Sequence, residues 1–577
     1  MKFWKTTLAV VVGIFIASIL SIVITLAICG SLGKPQPSIP KSGVLKIDLS
    51  TISLMEQATE ANPFEMLGSG NFQAMEIVPV GLWDAVRAIN TAAEDPAVKY
   101  IYLKAEGAIG DLASFSELRT ALSNFRKSGK AVISYIESPS TLSYYMSTVA
   151  DKVYMGAYPG SMINVNGISA RMLFFKDLLD KFGVNMQLIR HGKYKSAGEM
   201  YIRNSPSAEN MEQNRAMVDS IWETICAQIA EGRGLTPEAV NAAIDNLELC
   251  LPEDFVRLGF ADELLTRTQL EDKLASLAQE EKYSKVHMIP FADYVAVCAV
   301  PSTVKQKIAV IYADGEIIDG SDFQEVAGDR FAATIEKVRA DSTVKAVVLR
   351  VNSPGGSVVA SDKIKVELDL LKEVKPLIAS YGGYAASGGY WISNNADKIF
   401  TDALTLTGSI GVFGLVPDFS KTAKDVAHVG VVSVNSNKHS DMFGTMRPLD
   451  GAEQAYMQRS IEEIYERFTA TVAQGRGMEQ SAVDAIGQGR VWTGAAALGI
   501  GLVDEIGTLE DAIRYAAVCA GDSDLANWNI KGYPKPLTLS EQLMMLLNGG
   551  ENDYSITLRK LCESRVVARM PYGITVE

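Results

Sequence analysis

Apolar positions along the chain follow two alternating rhythms. Short runs rich in β-branched residues, such as Ala346 to Val351 and Leu377 to Tyr381, take turns with segments of helical period such as Ser361 to Lys372. That alternation predicts β-α-β units built on a mostly parallel sheet, an α/β fold. Two long helices are predicted over Met211 to Ala230 and Glu453 to Ala473, each followed by a glycine-bearing stretch, Gly232-Arg233-Gly234 and Gly475-Arg476-Gly477. A shorter apolar helix is predicted around Leu543 to Leu547. At the other end, Thr6 to Gly33 carries no charge, and Leu8 to Ile28 is almost wholly Val, Ile, Leu and Ala. About 20 such residues span a bilayer, whereas the apolar part of a cleaved signal is shorter. With Lys2 and Lys5 before it, the run reads as an uncleaved anchor with its N-terminus inside. Lys34 and Lys41 beyond it weaken the asymmetry, and Pro35, Pro37 and Pro40 make a stiff linker.

The body repeats. Ala150-Asp151-Lys152-Val153-Tyr154 matches Ala396-Asp397-Lys398-Ile399-Phe400, a spacing of 246 residues. The same spacing relates Val98–Leu103 to Val344–Leu349 and Ser143-Tyr144-Tyr145 to Gly389-Tyr390-Trp391. Gly259–Glu263 and Gly501–Glu505 correspond with a small slip of register. Several matches at one spacing indicate a duplicated domain. The expected organisation is a tail over 1–5, an anchor over 6–32, a linker over 33–43, α/β domains over 44–300 and 301–535, and a helical extension over 536–577.

The two copies differ where small residues cluster. Tyr384-Ala385-Ala386-Ser387-Gly388-Gly389-Tyr390-Trp391 joins a predicted buried strand to a predicted helix, but Ser387, Gly388 and Gly389 face Thr141, Leu142 and Ser143 in the first copy. Asn352-Ser353-Pro354-Gly355-Gly356-Ser357 faces Glu106–Asp111, where the Pro-Gly-Gly turn is gone. A packing requirement is expected in both copies, so glycines confined to one suggest a site there. Both turns lie at carboxyl ends of parallel strands and share one sheet edge. N–H groups of Gly355 or Gly356 and of Gly388 then outline an oxyanion hole beside a serine at a helix N-terminus. The plainer reading is a tight turn and close helix packing. A phosphate loop lacks its Gly-Lys-Ser/Thr.

A nucleophilic serine requires a base. The chain has only four histidines, His191, His287, His428 and His439, none near Ser387 in sequence; His428 and His439 remain candidates for a triad. The alternative is a neutral lysine. Gly192-Lys193-Tyr194-Lys195-Ser196-Ala197 in the first copy has no lysine opposite Lys195 in the second. Neutralising a free lysine at pH 7 costs about 4.6 kcal/mol, which only deep burial supplies. On residue type alone, a solvated surface lysine is the ordinary outcome.

Charge and cysteines narrow the class. A net charge of −14 argues against nucleic acid as the main partner. The six cysteines are scattered, with no C-x-x-C pair, which argues against a zinc site; no cofactor is expected.

Taken together, Asn352–Val358, Tyr384–Trp391, Leu406-Thr407-Gly408-Ser409-Ile410-Gly411 and Tyr194-Lys195-Ser196-Ala197 resemble, in order and spacing, the signal peptide peptidase A family in its long, duplicated form. The resemblance covers nearly the whole chain. It implies tandem Clp protease/crotonase-like domains after one N-terminal transmembrane helix. It implies Ser387 as nucleophile, Lys195 as general base, Ser409 as the hydroxyl that holds the lysine, and an oxyanion hole from Gly388 and the Gly355-Gly356 turn. It also implies a bowl-shaped homo-oligomer, a tetramer, with apolar grooves for extended peptides. One departure is Gly198-Glu199-Met200, where the family pattern leads us to expect Val-Glu-Pro. The expected function is degradation of cleaved signal peptides at the bacterial inner membrane, with the body on the periplasmic side. A crotonase-type acyl-CoA enzyme fits the fold but not an outward-facing body. A non-catalytic assembly or chaperone role is the remaining alternative.

Overall fold

The computed structural model describes residues 13–14, 40–58, 77–299, 302–323, 325–538, 541 and 565–570. The predicted anchor and the helix expected around Leu543 lie outside these residues, except for Gly13 and Ile14. Among the described residues no helix is long and apolar enough to cross a membrane.

The duplication is visible element by element. In the first copy the strands run Glu263–Leu265, Lys152–Gly156, Val132–Ile136, Val98–Lys104, Gly43–Asp48 and Met288–Pro290 across one parallel sheet. The second copy runs Val491–Thr493, Leu406–Gly408, Leu377–Ala386, Val344–Ser353, Lys307–Asp314 and Asn529–Tyr533. Here Lys398–Thr401 also pairs with Leu377–Ala386, and Leu406–Gly408 meets Val491–Thr493 antiparallel. Helices match in length: 13 residues for Leu82–Glu94 and Gly328–Ala340, 15 for Leu112–Arg126 and Val358–Lys372, and 26 for Ala208–Arg233 and Gly451–Arg476. Both 26-residue helices stop at a left-handed glycine, Gly234 and Gly477, which closes the last turn without a Cβ penalty. Central strands are buried on both faces because helices cover both: Ala346 to Val351 is buried at every position, and apolar at all but Arg350.

The copies are clamped by a buried cluster. Arg350, fully buried, meets Glu56 Oε2 at 2.7 Å and Glu117 Oε1 at 2.7 Å, both from the first copy. Burial pushes the Glu117 carboxyl up to about 7, against the opposing pull of Arg350.

A third sheet crosses between the copies and sets up the site. Its order is Val326–Ala327, Ile317–Ile318, the glycine strand Gly355–Ser357, the tail strand Arg565–Arg569, the bridging strand Val412–Asp418 and the lysine strand Asn185–His191. The lysine strand lies antiparallel on the bridging strand, from Asn185 opposite Asp418 to His191 opposite Val412. First-copy residues just after His191 are thereby delivered to the second copy. The sequence reading places no strand at Arg565–Arg569. A five-residue run with only Val566, Val567 and Ala568 apolar carries too little pattern to stand out, and long-range pairing decides it.

Candidate active site

The serine strand Leu377–Ala386 ends in an abrupt turn. Ser387 has φ 55° and ψ −112°, and the short helix Gly388–Ser393 follows at once. Such backbone costs a non-glycine residue about 1–3 kcal/mol and persists only when its surroundings enforce it. Here they do: Ser387 N–H donates to Gly408 O at 2.8 Å, and Ser387 O accepts from Trp391 N–H at 2.8 Å. The side chain makes no cap to the helix it precedes. Its hydroxyl instead meets Lys195 Nζ at 2.9 Å. A Cβ at Gly389 would lie 2.7 Å from Ser353 O, so close approach of the neighbouring strand excludes a larger residue there.

Lys195 comes from the other copy and is wholly buried. Its loop is pinned against Gln488 to Arg490. Tyr194 N–H donates to Gln488 O at 2.9 Å, and a Cβ on Gly489 would lie 2.6 Å from Lys195 Cβ. The Lys195 carbonyl accepts from Arg190 Nη1 at 2.8 Å, and Arg190 Nη1 also meets Glu199 Oε1 at 3.0 Å. Glu199 is buried, which favours its neutral form, but hydrogen bonds from Ser207, Arg190 and Asn210 together hold it below the usual carboxylate range. Gln213 Nε2 braces the same loop on Tyr194 O at 3.0 Å and Ser196 Oγ at 2.8 Å.

Among the described residues, the oxygens bonded to the amine are all neutral. Lys195 Nζ lies 3.0 Å from Ser409 Oγ and 3.1 Å from Ser409 O, besides Ser387 Oγ. No ion pair involves it among the described residues, and burial alone holds its pKa well below the usual lysine value. A neutral amine has two N–H groups and one lone pair. With the amine neutral, Ser409 Oγ and O can take its two N–H groups, and its lone pair can face the Ser387 hydroxyl. Ser409 itself sits at φ 50°, fixed by its N–H donating to Arg490 O at 2.7 Å. The histidine alternative finds no such contact: His439 Nδ1 bonds Glu453 Oε1 at 2.8 Å, His191 stacks on Tyr465 at 4.0 Å, and His428 is exposed.

The expected oxyanion donors separate. Gly355 N–H donates to Ser353 Oγ at 3.2 Å. Gly356 N lies 3.1 Å from the place a Gly388 Cβ would occupy, so these two backbones meet beside Ser387. Gly388 is the first residue of its helix, where no intrahelical acceptor exists for its N–H. Gly356 and Gly388 are therefore the convergent pair. Of the residues singled out in the sequence, Ser387, Lys195, Ser409, Gly356 and Gly388 come together, and Gly355 supports them from one step away. The Gln488–Arg490 loop was not singled out. Its signal was available by internal comparison: at the spacing of 243 that relates Ala208 to Gly451, Gly487 and Gly489 face Ile244 and Asn246.

A strand-to-helix elbow carrying a serine, with a backbone donor pair beside it, is the arrangement that hydrolases working through a serine nucleophile use. Sequence comparison makes the class particular. The profile of peptidase family S49 matches residues 124–281 and 369–521. Protease 4 of Haemophilus influenzae is 37% identical over 455 residues, covering 76% of this chain and 72% of its own. Protease 4 of Salmonella typhi is 34% identical over 529 residues, covering 88% of this chain and 82% of its own. The chloroplastic serine protease SPPA of Arabidopsis thaliana is 30% identical over 439 residues, covering 74% of this chain and 64% of its own. The chain belongs to peptidase family S49 and is a serine peptidase. Among solved structures, a ClpP1 mutant from Listeria monocytogenes matches at 17% identity and a TM-score of 0.25, covering 36% of this chain and 94% of that one.

Proposed function

We propose that this chain is a membrane-anchored endopeptidase that cuts extended apolar peptides with a Ser387/Lys195 dyad. Neutral Lys195 accepts the Ser387 proton as Oγ attacks the peptide carbonyl. The N–H groups of Gly356 and Gly388 hold the developing oxyanion. Lys195 then returns the proton to the leaving amine, and water releases the acyl group from Ser387. Ser409 keeps the amine aimed and cannot neutralise it, because it offers no negative charge.

The observation that carries this reading is a buried amine 2.9 Å from the serine hydroxyl with no carboxylate beside it among the described residues. The uncharged segment 6–32 supports an anchor with the body on the outer face of a bacterial inner membrane. An anchored peptidase acting on apolar peptides would meet cleaved signal peptides lying in the same membrane. The proposed assembly is a homo-tetramer. Purified chain carrying Ser387→Ala is expected to keep its circular dichroism and melting profile and to lose hydrolysis of an apolar reporter peptide. Retained hydrolysis in that variant sinks the proposal.

A further inference from the structure

The loop that closes over Lys195 is itself held from behind. Residues Gln488 to Arg490 lie on the stem of the lysine. A Cβ on Gly489 would stand 2.6 Å from Lys195 N, and one on Gly411 would stand 2.7 Å from Gly489 Cα and 3.2 Å from Lys195 Cδ. Backbone bonds run from Gly489 N–H to Ile410 O at 2.7 Å and from Arg490 N–H to Gly487 O at 2.9 Å. Gln488 sits at φ 54°, in the left-handed region. A residue with a side chain stays there only where its neighbours enforce it. The neighbour is Tyr465, on the helix Gly451–Arg476. Its hydroxyl accepts from Gln488 N–H at 3.1 Å and donates to Asp484 Oδ1 at 2.6 Å. Gln488 Nε2 donates to the same carboxylate oxygen. The Tyr465 ring is buried and stacks on His191, the last residue of the lysine strand. One side chain therefore touches both the strand that delivers Lys195 and the loop that covers it.

The other copy shows which part of this contact is structural. At the spacing of 243, Tyr465 and Asp484 face Trp222 and Asn241. There Trp222 Nε1 donates to Asn241 Oδ1 at 2.7 Å. Both copies thus tie the long helix to the next one, Pro237–Asp245 or Gln480–Ile486, through an aromatic donor. An indole N–H can only donate, whereas a phenol also accepts. Gln488 N–H uses that acceptor, which exists only in the copy whose loop covers the lysine. Burial, and after it the bond to Asp484, push the phenol above its ordinary value, so it stays an O–H donor. The other titratable groups at the loop are His191 on the ring, Tyr194, whose hydroxyl donates to Glu212 Oε1 at 2.9 Å, and Arg490, whose Nη1 meets the same oxygen at 3.2 Å. None of them is bonded to the lysine amine, whose partners are Ser387 and Ser409.

We propose that Tyr465 is a positioning residue for peptide hydrolysis: braced by Asp484, its hydroxyl holds the Gln488–Gly489 turn down on Lys195 and keeps water from the amine. The inference rests on the dyad reading above. Without the hydroxyl, Gln488 N–H loses its acceptor, the left-handed turn relaxes, and water enters beside the lysine stem. A wetter amine keeps its proton to higher pH, so fewer molecules carry the base in its neutral form. Tyr465 acts through Lys195 and does not touch the substrate, so substrate binding is left alone.

The test follows kcat/KM on an apolar reporter peptide across pH, with the full chain purified in detergent. Tyr465→Phe keeps the ring on His191 and removes only the hydroxyl. Its midpoint is expected about one pH unit above that of the wild type, a loss of about tenfold at pH values below both midpoints, with the alkaline plateau and KM little changed. Asp484→Ala, which leaves the phenol without its acceptor, is expected to move the midpoint the same way. Trp222→Phe removes the matching donor in the first copy. It is expected to lower the melting temperature as Tyr465→Phe does and to leave the midpoint in place. An unmoved midpoint in Tyr465→Phe overturns the inference, as does an equal shift in Trp222→Phe. Where Tyr465→Phe does not fold, Asp484→Ala decides by the same criterion. Lys195→Met separates this inference from the dyad reading. A rise with pH that vanishes in Lys195→Met, beside an unmoved Tyr465→Phe midpoint, removes the role of Tyr465 and leaves the dyad standing. A rise that survives in Lys195→Met removes both.

Discussion

The same turn exists twice in this molecule, once as structure and once as chemistry. In the first copy the helix Thr141–Ser147 begins with Ser140 in ordinary extended backbone. Ser140 Oγ accepts from Ser143 N–H, and Ser143 Oγ accepts from Ser140 N–H, so the loose donors are satisfied. In the second copy the residue just before the helix is Ser387, one position on from Ser140 at the spacing of 246; it sits at φ 55°, caps nothing, and turns its hydroxyl to a lysine. The turn is relaxed in one copy and strained in the other. What distinguishes a site from a fold element here is polar groups left unsatisfied by their own helix.

The lysine follows the same logic in reverse. Lys195 is buried with no counter-charge among the described residues, which disfavours folding while the unfolded chain can be protonated. Its folded pKa is depressed, so the unfolded state binds more protons between the folded value and the free value of about 10.4. That contribution to stability therefore grows as pH rises through this window and is complete above it. Lys195→Met, which keeps the volume and removes the amine, is expected to lower kcat/KM by about 10²- to 10⁴-fold. The same change is expected to raise the melting temperature at neutral pH and to flatten its rise toward alkaline pH. A Lys195→Met chain that is both inactive and less stable at pH 7 removes the contrast between the copies.

Gly388→Ala sharpens it from the serine side. The new methyl would stand 2.8 Å from Ser361 Oγ and 3.1 Å from Gly356 N, forcing the donor pair apart. A loss of about 10²- to 10³-fold in kcat is expected with little change in KM, as when one oxyanion donor is removed. The smallest effect belongs to the relaxed copy. Ser140→Ala breaks the first-copy cap and is expected to cost about 1 kcal/mol in denaturant unfolding while leaving kcat/KM unchanged. A large activity loss there means that the first copy does more than carry the lysine.

Much of this was readable in the sequence because duplication supplies its own control. Comparing Thr141-Leu142-Ser143 with Ser387-Gly388-Gly389 isolates the serine turn, and the missing opposite of Lys195 isolates the lysine. The sheet grammar of Ala346–Val351 and Leu377–Tyr381 was legible because buried parallel strands are continuously apolar. Burial of Lys195 was not legible, since nothing local to Tyr194-Lys195-Ser196 says that Gly489 and Ser409 close over it. Which glycine faces the oxyanion was equally hidden. Gly355 and Gly356 are adjacent and alike, and only the Ser353 hydroxyl bonding Gly355 separates them. The tail strand depends on pairing with residues about 150 and 210 positions away, which no local pattern records.

The most direct measurement is the rate at which a fluorophosphonate acylates Ser387 as a function of pH, in the wild type and in Lys195→Met. The account predicts a wild-type rate that rises with pH to a plateau, with its midpoint well below the free lysine value of about 10.4, and a collapse of that rate in Lys195→Met. Equal acylation of the two proteins across the pH range contradicts it.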